Sequence, residues 1–314
     1  VLITSGSQQG LDLVSRVLLN PGDRVLVERP TFLGALQVFA SYQAGFVGVE
    51  TDADGLITDH LPERLDDGVK FLYVQPNFQN PGGTTLSLER RQSLVRIARQ
   101  RGIPLVEDDP YGAFRYEGKP LPSLLHLDQQ QSPAPSQADP LANAHVLHLS
   151  SFSTTLAPGL RLASIIAPQE VIGRLVVAKQ GADLHTSTYV QMVAYEALQG
   201  GLLDEHVPRM CQVYHQRRDA MLMALDRYLP GTSEWSSPQG GFFIWLTLPA
   251  SLDAAELLPA AVARGVAYVP GVAFYADDGR PPQKQTMRLN FSYNAPEVIT
   301  EGILRLGEVI AAHL

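Results

Sequence analysis

Ser151, Ser153, Thr154 and Thr155 crowd four hydroxyls into the segment Ser150 to Ala163, SSFSTTLAPGLRLA, just ahead of a Pro158-Gly159 turn and Arg161. Hydroxyl donors followed by a guanidinium fork suit an anion, a phosphate dianion in particular. A polar surface loop with one solvated arginine has the same composition, so these residues alone leave both readings open. Three more polar clusters could do chemistry: Ser5 to Gln8, Asn77 to Asn80 and Asp108 to Tyr111. Each also has an ordinary reading. Ser7 is a natural helix N-cap, Asn80-Pro81-Gly82-Gly83 a natural turn and Asp108-Asp109-Pro110 a natural strand exit.

The elements that must position these clusters follow from the apolar pattern. Short β-branched and apolar runs at Val1 to Thr4, Arg24 to Glu28, Gly45 to Glu50, Lys70 to Gln75, Ile103 to Glu107, His145 to Leu149 and Leu162 to Ala167 read as seven strands. Helical spacing lies between them: Leu11, Leu13, Val14, Val17 and Leu18; Leu36, Val38 and Phe39; and Ser87 to Arg101, with Leu88, Leu94, Val95 and Ile97 facing inward. Strands alternating with helices predict an α/β fold, a mostly parallel seven-stranded sheet flanked by helices. Ligands of such sheets sit at the carboxyl ends of the strands, and all four polar clusters fall there. The free N–H groups of a helix starting near Ser7 add anion donors, which Ser7 and Gln8 side chains could supplement.

After Pro168 the pattern changes to helices near Glu170 to Gly181, Thr188 to Leu198 and Leu203 to Leu229. Beyond them, GGFFIWLTL, VAYVPG and MRLNFS read as strands around a helix at Asp253 to Arg264, a smaller α+β domain. The expected organisation is a large domain over residues 1–202, a linking helix over 203–229 and a small domain over 230–314. Residues 128–143, DQQQSPAPSQADPLAN, read as a mobile surface loop without chemistry, too poor in large apolar residues to order itself.

Composition narrows the function classes. A net charge of -8 argues against nonspecific binding to nucleic acid or an anionic membrane surface. The single cysteine, Cys211, excludes an internal disulfide framework and a multi-cysteine metal site, and reads as helix packing. Neither a run of about 18 apolar residues nor an export signal is visible, so a soluble, cytoplasmic protein without a metal is expected. Val1 opens directly on a strand, as though the chain were cut into an existing domain.

In this order, TSGSQQ (Thr4 to Gln9), RPTFLGAL (Arg29 to Leu36), QPNFQNPGG (Gln75 to Gly83), VEDDPYGAFRY (Val106 to Tyr116), SFSTTLAPGLRL (Ser151 to Leu162), PQGGFFIW (Pro238 to Trp245), PGVAF (Pro270 to Phe274) and MRLNFS (Met287 to Ser292) span nearly the whole chain. Together they resemble fold type I pyridoxal phosphate enzymes, specifically class I/II aminotransferases of the 2-aminoadipate or kynurenine kind. The resemblance implies that Asp108 pairs with the pyridine nitrogen, so that the ring accepts electrons. It implies that Tyr111 and Asn80 hydrogen-bond the ring's phenolic oxygen, and that Phe32 stacks on the ring. Ser7, Gln8, Ser151, Ser153 and Arg161 would hold the phosphate, and Arg288 would clamp the substrate carboxylate as the small domain closes. The partners implied are an L-amino acid, a 2-oxo acid and a second copy of the chain in a homodimer.

Two departures from the family's pattern stand out. Its Schiff-base lysine falls at Thr154, whose hydroxyl can neither form an imine nor act as the amine base of proton transfer. Cofactor binding without a covalent bond and poor transamination are therefore expected. The lysines of the chain are Lys70, Lys119, Lys179 and Lys284; Lys179 reads as part of a solvated helix face rather than as a substitute. Relatives also carry an N-terminal segment ahead of the strand at Val1 to Thr4, whose absence would expose the pocket and weaken dimer contacts. The alternative is a pseudoenzyme or ligand-sensing module, such as the effector domain of a MocR-type transcription regulator. A lyase or decarboxylase on the same scaffold ranks below both, because Asp108 and Arg288 sit in transaminase-like contexts.

Overall fold

The computed structural model describes residues 1–65, 68–131, 139–229 and 231–314. In chain order, β1 (Leu2–Thr4), α1 (Ser7–Leu18), β2 (Arg24–Arg29), α2 (Leu33–Ser41), β3 (Gly45–Asp52), β4 (Gly55–Leu56) and α3 (Leu61–Arg64) come first. Then follow β5 (Val69–Val74), α4 (Leu88–Arg101), β6 (Leu105–Asp109), α5 (Leu124–Gln131), β7 (Val146–Ser151), α6 (Phe152–Thr155) and β8 (Ala163–Ile166). The strands form one eight-stranded sheet in the order β1-β8-β7-β6-β5-β2-β3-β4. The five from β7 to β3 are parallel, whereas β8 runs antiparallel to both β7 and β1, and β4 antiparallel to β3.

The parallel strands have apolar centres because both of their faces are covered, with charged and polar residues confined mostly to their ends. Successive side chains point to opposite faces. Val25, Val27, Phe71, Tyr73, Val106, Leu147 and Leu149 share a core with Leu11, Leu13 and Val14 of α1 and Leu36 and Phe39 of α2. Their alternates Leu26, Val49, Leu72, Val74, Leu105 and Val146 pack on the other side with Leu94, Val95 and Ala98 of α4 and with α5.

The chain continues through α7 (Gln169–Asp183), α8 (Thr188–Gln199), α9 (Leu202–Tyr228), β9 (Glu234–Trp235), β10 (Phe243–Thr247), α10 (Ala254–Ala263), β11 (Val269–Pro270), β12 (Thr286–Asn290) and α11 (Pro296–Ala311). Its strands form a second, antiparallel sheet in the order β11-β12-β10-β9. This sheet has its own core with the end of α9, α10 and α11: Met221, Leu225, Ile244, Leu246, Leu257, Met287, Ile303 and Leu306 are all buried there.

Four expectations are corrected. The large sheet has an eighth strand, the two-residue β4, which forms a tight hairpin with β3. Leu88 at the start of α4 is exposed rather than inward, while Leu94 and Val95 are buried. Asp128 to Gln131 are helical, and Asp128 is buried, accepting from Arg99 Nη1 and from the backbone N–H groups of His145 and Val146. Residues 132–138 of the expected loop lie outside the described residues. Finally, α11 has no counterpart among the expected helices, although Ile299, Ile303, Leu306 and Ile310 recur at helical spacing along it.

The segment after β6 and the segment before β10 meet along a backbone seam. Tyr116 and Glu117 N–H groups donate to Gln239 O at 2.8 and 3.2 Å, and Gly241 N–H donates to Phe114 O at 2.9 Å. Phe78 is buried against this seam so closely that a Cβ on Gly240 would lie 2.4 Å from its ring. Among the described residues no helix is long and apolar enough to cross a membrane.

Candidate active site

A cavity of about 200 Å³ opens at the carboxyl ends of the parallel strands, lined by Ser7, Gln8, Phe32, Gln75, Asp108, Pro110, Tyr111, Ser151, Ser153, Thr154 and Arg161. Strand ends, the start of α1 and the loops beside them deliver these residues to one place at the carboxyl edge of the parallel strands. Nine of the expected site residues thus share one cavity. Asn80 and Arg288 meet beside it: Arg288 Nη1 donates to Asn80 Oδ1 at 2.9 Å.

Beside the cavity a guanidinium lies against the start of a helix, an arrangement that can receive an anion. Gly6, the residue before α1, has φ +86°, and a Cβ there would lie 2.4 Å from Arg161 Nη2. Only glycine lets the guanidinium settle against the start of α1, whose first N–H groups lack helical partners. Arg161 itself has φ +49° and donates from Nη1 to Ser153 Oγ at 3.1 Å and to Pro158 O at 3.3 Å. Ser151 Oγ accepts from Ser153 N–H at 3.1 Å, capping α6. Ser7 is the first helical residue and not the cap. Gln8 reaches the cavity, but its Nε2 donates to Gly34 O at 2.8 Å, so its amide group braces the turn that carries Phe32.

Asp108 brings a buried carboxylate to the same cavity. Asp108 is 2% exposed, and its Oδ2 accepts from Tyr73 OH at 2.7 Å and from Gln75 Nε2 at 3.0 Å. Its Oδ1 is buried with no partner among the described residues. A buried carboxylate oxygen without a donor is costly and marks a place where a ligand donor belongs. Burial pushes the Asp108 carboxyl up to about 6, against the pull of the Tyr73 and Gln75 hydrogen bonds. Nearby Glu28, buried and accepting from Gln75 N–H at 3.0 Å, is pushed up to about 8 by the same desolvation.

Tyr111 closes the side wall, its ring edge-on to Phe242 and Phe243 at 5.3 and 5.8 Å between centroids. Burial and the Asp108 charge push its hydroxyl up to about 12, against Arg288 and a hydrogen bond with Asn80. The Arg288 guanidinium lies over Phe243 and Phe274, 4.2 and 5.0 Å from the ring centroids, and its buried Nε has no partner among the described residues. Burial lowers its pKa, so a carboxylate arriving there meets an already desolvated cation.

Thr154 lines the cavity and donates from Oγ1 to Pro110 O at 2.6 Å. Among the described residues no lysine lines this cavity. Lys179 is not on a solvated face: it is 3% exposed, and its Nζ donates to Gln9 Oε1 at 2.8 Å and to Asp183 Oδ1 and Oδ2 at 2.7 and 2.8 Å. Cys211 is partly exposed on α9, its Sγ 3.6 Å from Ala113 O. Sequence reasoning missed Gln75 and Tyr73 as site residues. Gln75 stands out there only as part of a motif, and Tyr73 reads as an interior strand aromatic.

The arrangement fits a phosphorylated ring that carries a protonatable nitrogen, since a partnerless buried carboxylate oxygen and a guanidinium face the same cavity. A family model for aminotransferases of class I and II matches residues 1–306. Aromatic-amino-acid aminotransferase 1 of Thermococcus litoralis is 44% identical over 316 residues, covering 99% of this chain and 72% of that protein. The crystal structure of the α-aminoadipate aminotransferase LysN of Thermus thermophilus, complexed with N-(5′-phosphopyridoxyl)-L-leucine, superimposes with a TM-score of 0.91 at 39% identity, covering 99% of this chain and 76% of that one. The HTH-type transcriptional regulator YdfD of Bacillus subtilis is 32% identical over 311 residues, covering 99% of this chain and 61% of that protein.

Proposed function

The chain belongs to the class I and II aminotransferases, pyridoxal phosphate enzymes of fold type I, and from that premise we propose that its cavity holds the cofactor without a covalent bond and that Thr154 leaves amino-group transfer between an L-amino acid and a 2-oxo acid severely impaired. The observation that carries this reading is the pairing of a partnerless Asp108 Oδ1 with Thr154 across one cavity.

When bound, pyridoxal 5′-phosphate supplies an electron sink and an aldehyde that exchanges with an amine. Asp108 Oδ1 would accept the ring N–H and hold that proton in place. Arg161, Ser151, Ser153 and the N–H groups at the start of α1 would hold the phosphate, with Ser7 beside them. Phe32 would cover one face of the ring and exclude water from it. Tyr111 OH, steadied by Asn80, would donate to the ring's phenolic oxygen. Arg288 would orient the substrate's α-carboxylate. Thr154, with its hydroxyl donating to Pro110 O, offers no nitrogen to form an imine or to carry a proton at neutral pH. Residues 1–202 and 230–314 act in this reading as cofactor and substrate domains, joined by the helix over 203–229.

Borohydride reduction after loading with pyridoxal 5′-phosphate tests the proposal. The chain is expected to remain unlabelled, whereas Thr154→Lys is expected to be labelled at that position and to gain at least about 100-fold in transamination rate. A reducible adduct on Lys179 or any other lysine of the unaltered chain would overturn it. Thr154, together with the match to a helix-turn-helix regulator, favours a second reading as a ligand-sensing effector domain. A T154K chain that folds, is labelled and still transfers no amino group is the outcome expected of that reading.

A further inference from the structure

Asp108 comes from the large sheet and Arg288 from the small one, and the Gln75 side chain links the first to the loop that holds the second. Gln75, 2% exposed, donates from Nε2 to Asp108 Oδ2 at 3.0 Å and accepts at Oε1 from Asn80 N–H at 3.0 Å. Asn80 in turn accepts at Oδ1 from Arg288 Nη1 at 2.9 Å. The amide's orientation is fixed by its neighbours, since a backbone N–H needs an acceptor and a carboxylate needs a donor. A flipped amide would set a carbonyl against the Asp108 carboxylate and an NH₂ against an N–H. The Gln75 backbone is fixed as well, its N–H donating to Glu28 Oε2 at 3.0 Å.

We propose that Gln75 is a positioning residue that couples the carboxylate facing the cofactor's ring nitrogen to the loop and arginine that receive the substrate carboxylate. The roles of Asp108 and Arg288 rest on the reading given above, while the coupling itself rests on these hydrogen bonds. Gln75 holds Asp108 in its ionised form by supplying one of its two donors. With its other end it fixes Asn80, and through Asn80 the direction of the Arg288 guanidinium. An aliphatic side chain of the same length would fill the space and make neither bond.

The groups facing Asp108 come from four strands and the loop after β6. They are Tyr73 on β5, Glu28 on β2, Asp109 beside it on β6, His148 on β7 and Tyr111. None of them replaces the Gln75 donor, because Tyr73 already donates to the same oxygen and the others give no hydrogen bond to it.

Gln75→Met and Gln75→Glu, with Asn80→Ala as a comparison, test the proposal in two measurements. In the cofactor-free protein, carbon-13 labelling of aspartate carboxyls follows the titration of Asp108. Loss of one hydrogen bond to a charged group is worth about tenfold in the equilibrium, so Gln75→Met is expected to move that titration up by about one pH unit. Gln75→Glu, which sets a second carboxyl against the first, should move it at least as far. Asn80→Ala should leave it in place. In the second measurement, pyridoxamine 5′-phosphate is titrated into each protein across pH, alone and with 3-phenylpropionate as an unreactive carboxylate. Gln75→Met is expected to shift the low-pH limb of the affinity profile upward and to weaken 3-phenylpropionate binding about tenfold; Asn80→Ala is expected to do only the latter. A purely structural role for Gln75 lowers affinity equally at all pH values and leaves the Asp108 titration where it was; that result overturns the proposal. If the unaltered chain binds no pyridoxamine 5′-phosphate but the Asp108 titration shifts as expected, the cofactor reading fails and the Gln75 link to Asp108 stands.

Discussion

Gly6 shows how much the seat of Arg161 depends on one missing side chain. Its φ of +86° lies where only glycine is comfortable, and the space a Cβ would fill is taken by Arg161 Nη2. Gly6→Ala is expected to cost about 1–3 kcal/mol in backbone strain and to displace the guanidinium. Titration with pyridoxamine 5′-phosphate should then show at least about a tenfold loss of affinity, since a charge-assisted bond is lost; an unchanged affinity would refute this account of the arginine's seat. At this scale the sequence brings Asp108, Tyr111 and Arg161 to attention by residue type and place in a motif, and all three line one cavity. Gln75 escapes because an amide announces nothing by its type. Its partners lie 33 and 5 residues away in the chain, and only the fold makes them neighbours.

Among the elements, α4 illustrates how a helix can set the geometry of a loop it does not contain. Arg91 is wholly buried and donates to Leu86 O, Pro76 O and Pro122 O at 2.8, 2.8 and 3.0 Å and to Asn77 Oδ1 at 2.6 Å. It thereby pins the loop after β5, which carries Asn77 to Asn80, to the segment that leads into α5. Removing the guanidinium strands several buried acceptors, so Arg91→Leu is expected to destabilise the protein by on the order of 3 kcal/mol. Urea unfolding monitored by circular dichroism would register this, and a change within about 0.5 kcal/mol would contradict it. The strands and longer helices are legible because doubly covered strands spell continuous apolar runs and long helices repeat their period. The hairpin strand β4 is not, since two residues carry no period. Asp128 misleads because its polar neighbours Gln129 to Gln131 hide a buried helix end whose partners, Arg99 and the start of β7, lie elsewhere.

For the molecule as a whole, Glu28 ties stability to pH. Its carboxyl is held up at about 8 in the fold by burial, against 4.5 for an ordinary glutamate. Between those two values the folded protein keeps a proton that the unfolded chain has lost, so stability falls as pH rises across that window, by at most about 1.4 kcal/mol per pH unit. Glu28→Gln removes the titrating group while keeping its shape. Denaturation at about pH 5.5 and about pH 8 should show the variant gaining on the unaltered protein at the higher pH; equal differences at both would exclude the mechanism.

The cavity takes its lining entirely from residues 7 to 161, whereas the arginine beside it comes from β12, more than a hundred residues later. This division gives the cavity and the arginine beside it separate origins in the chain. Substitutions around Arg288, Phe243 and Phe274 reach the cavity wall through Phe243, whose ring meets Tyr111, and through Asn80, which accepts from Arg288. Gln75 adds a hydrogen-bonded link between Asp108 and the Asn80 loop. Variation that reaches it alters both together, so drift in substrate preference is expected to route around this residue.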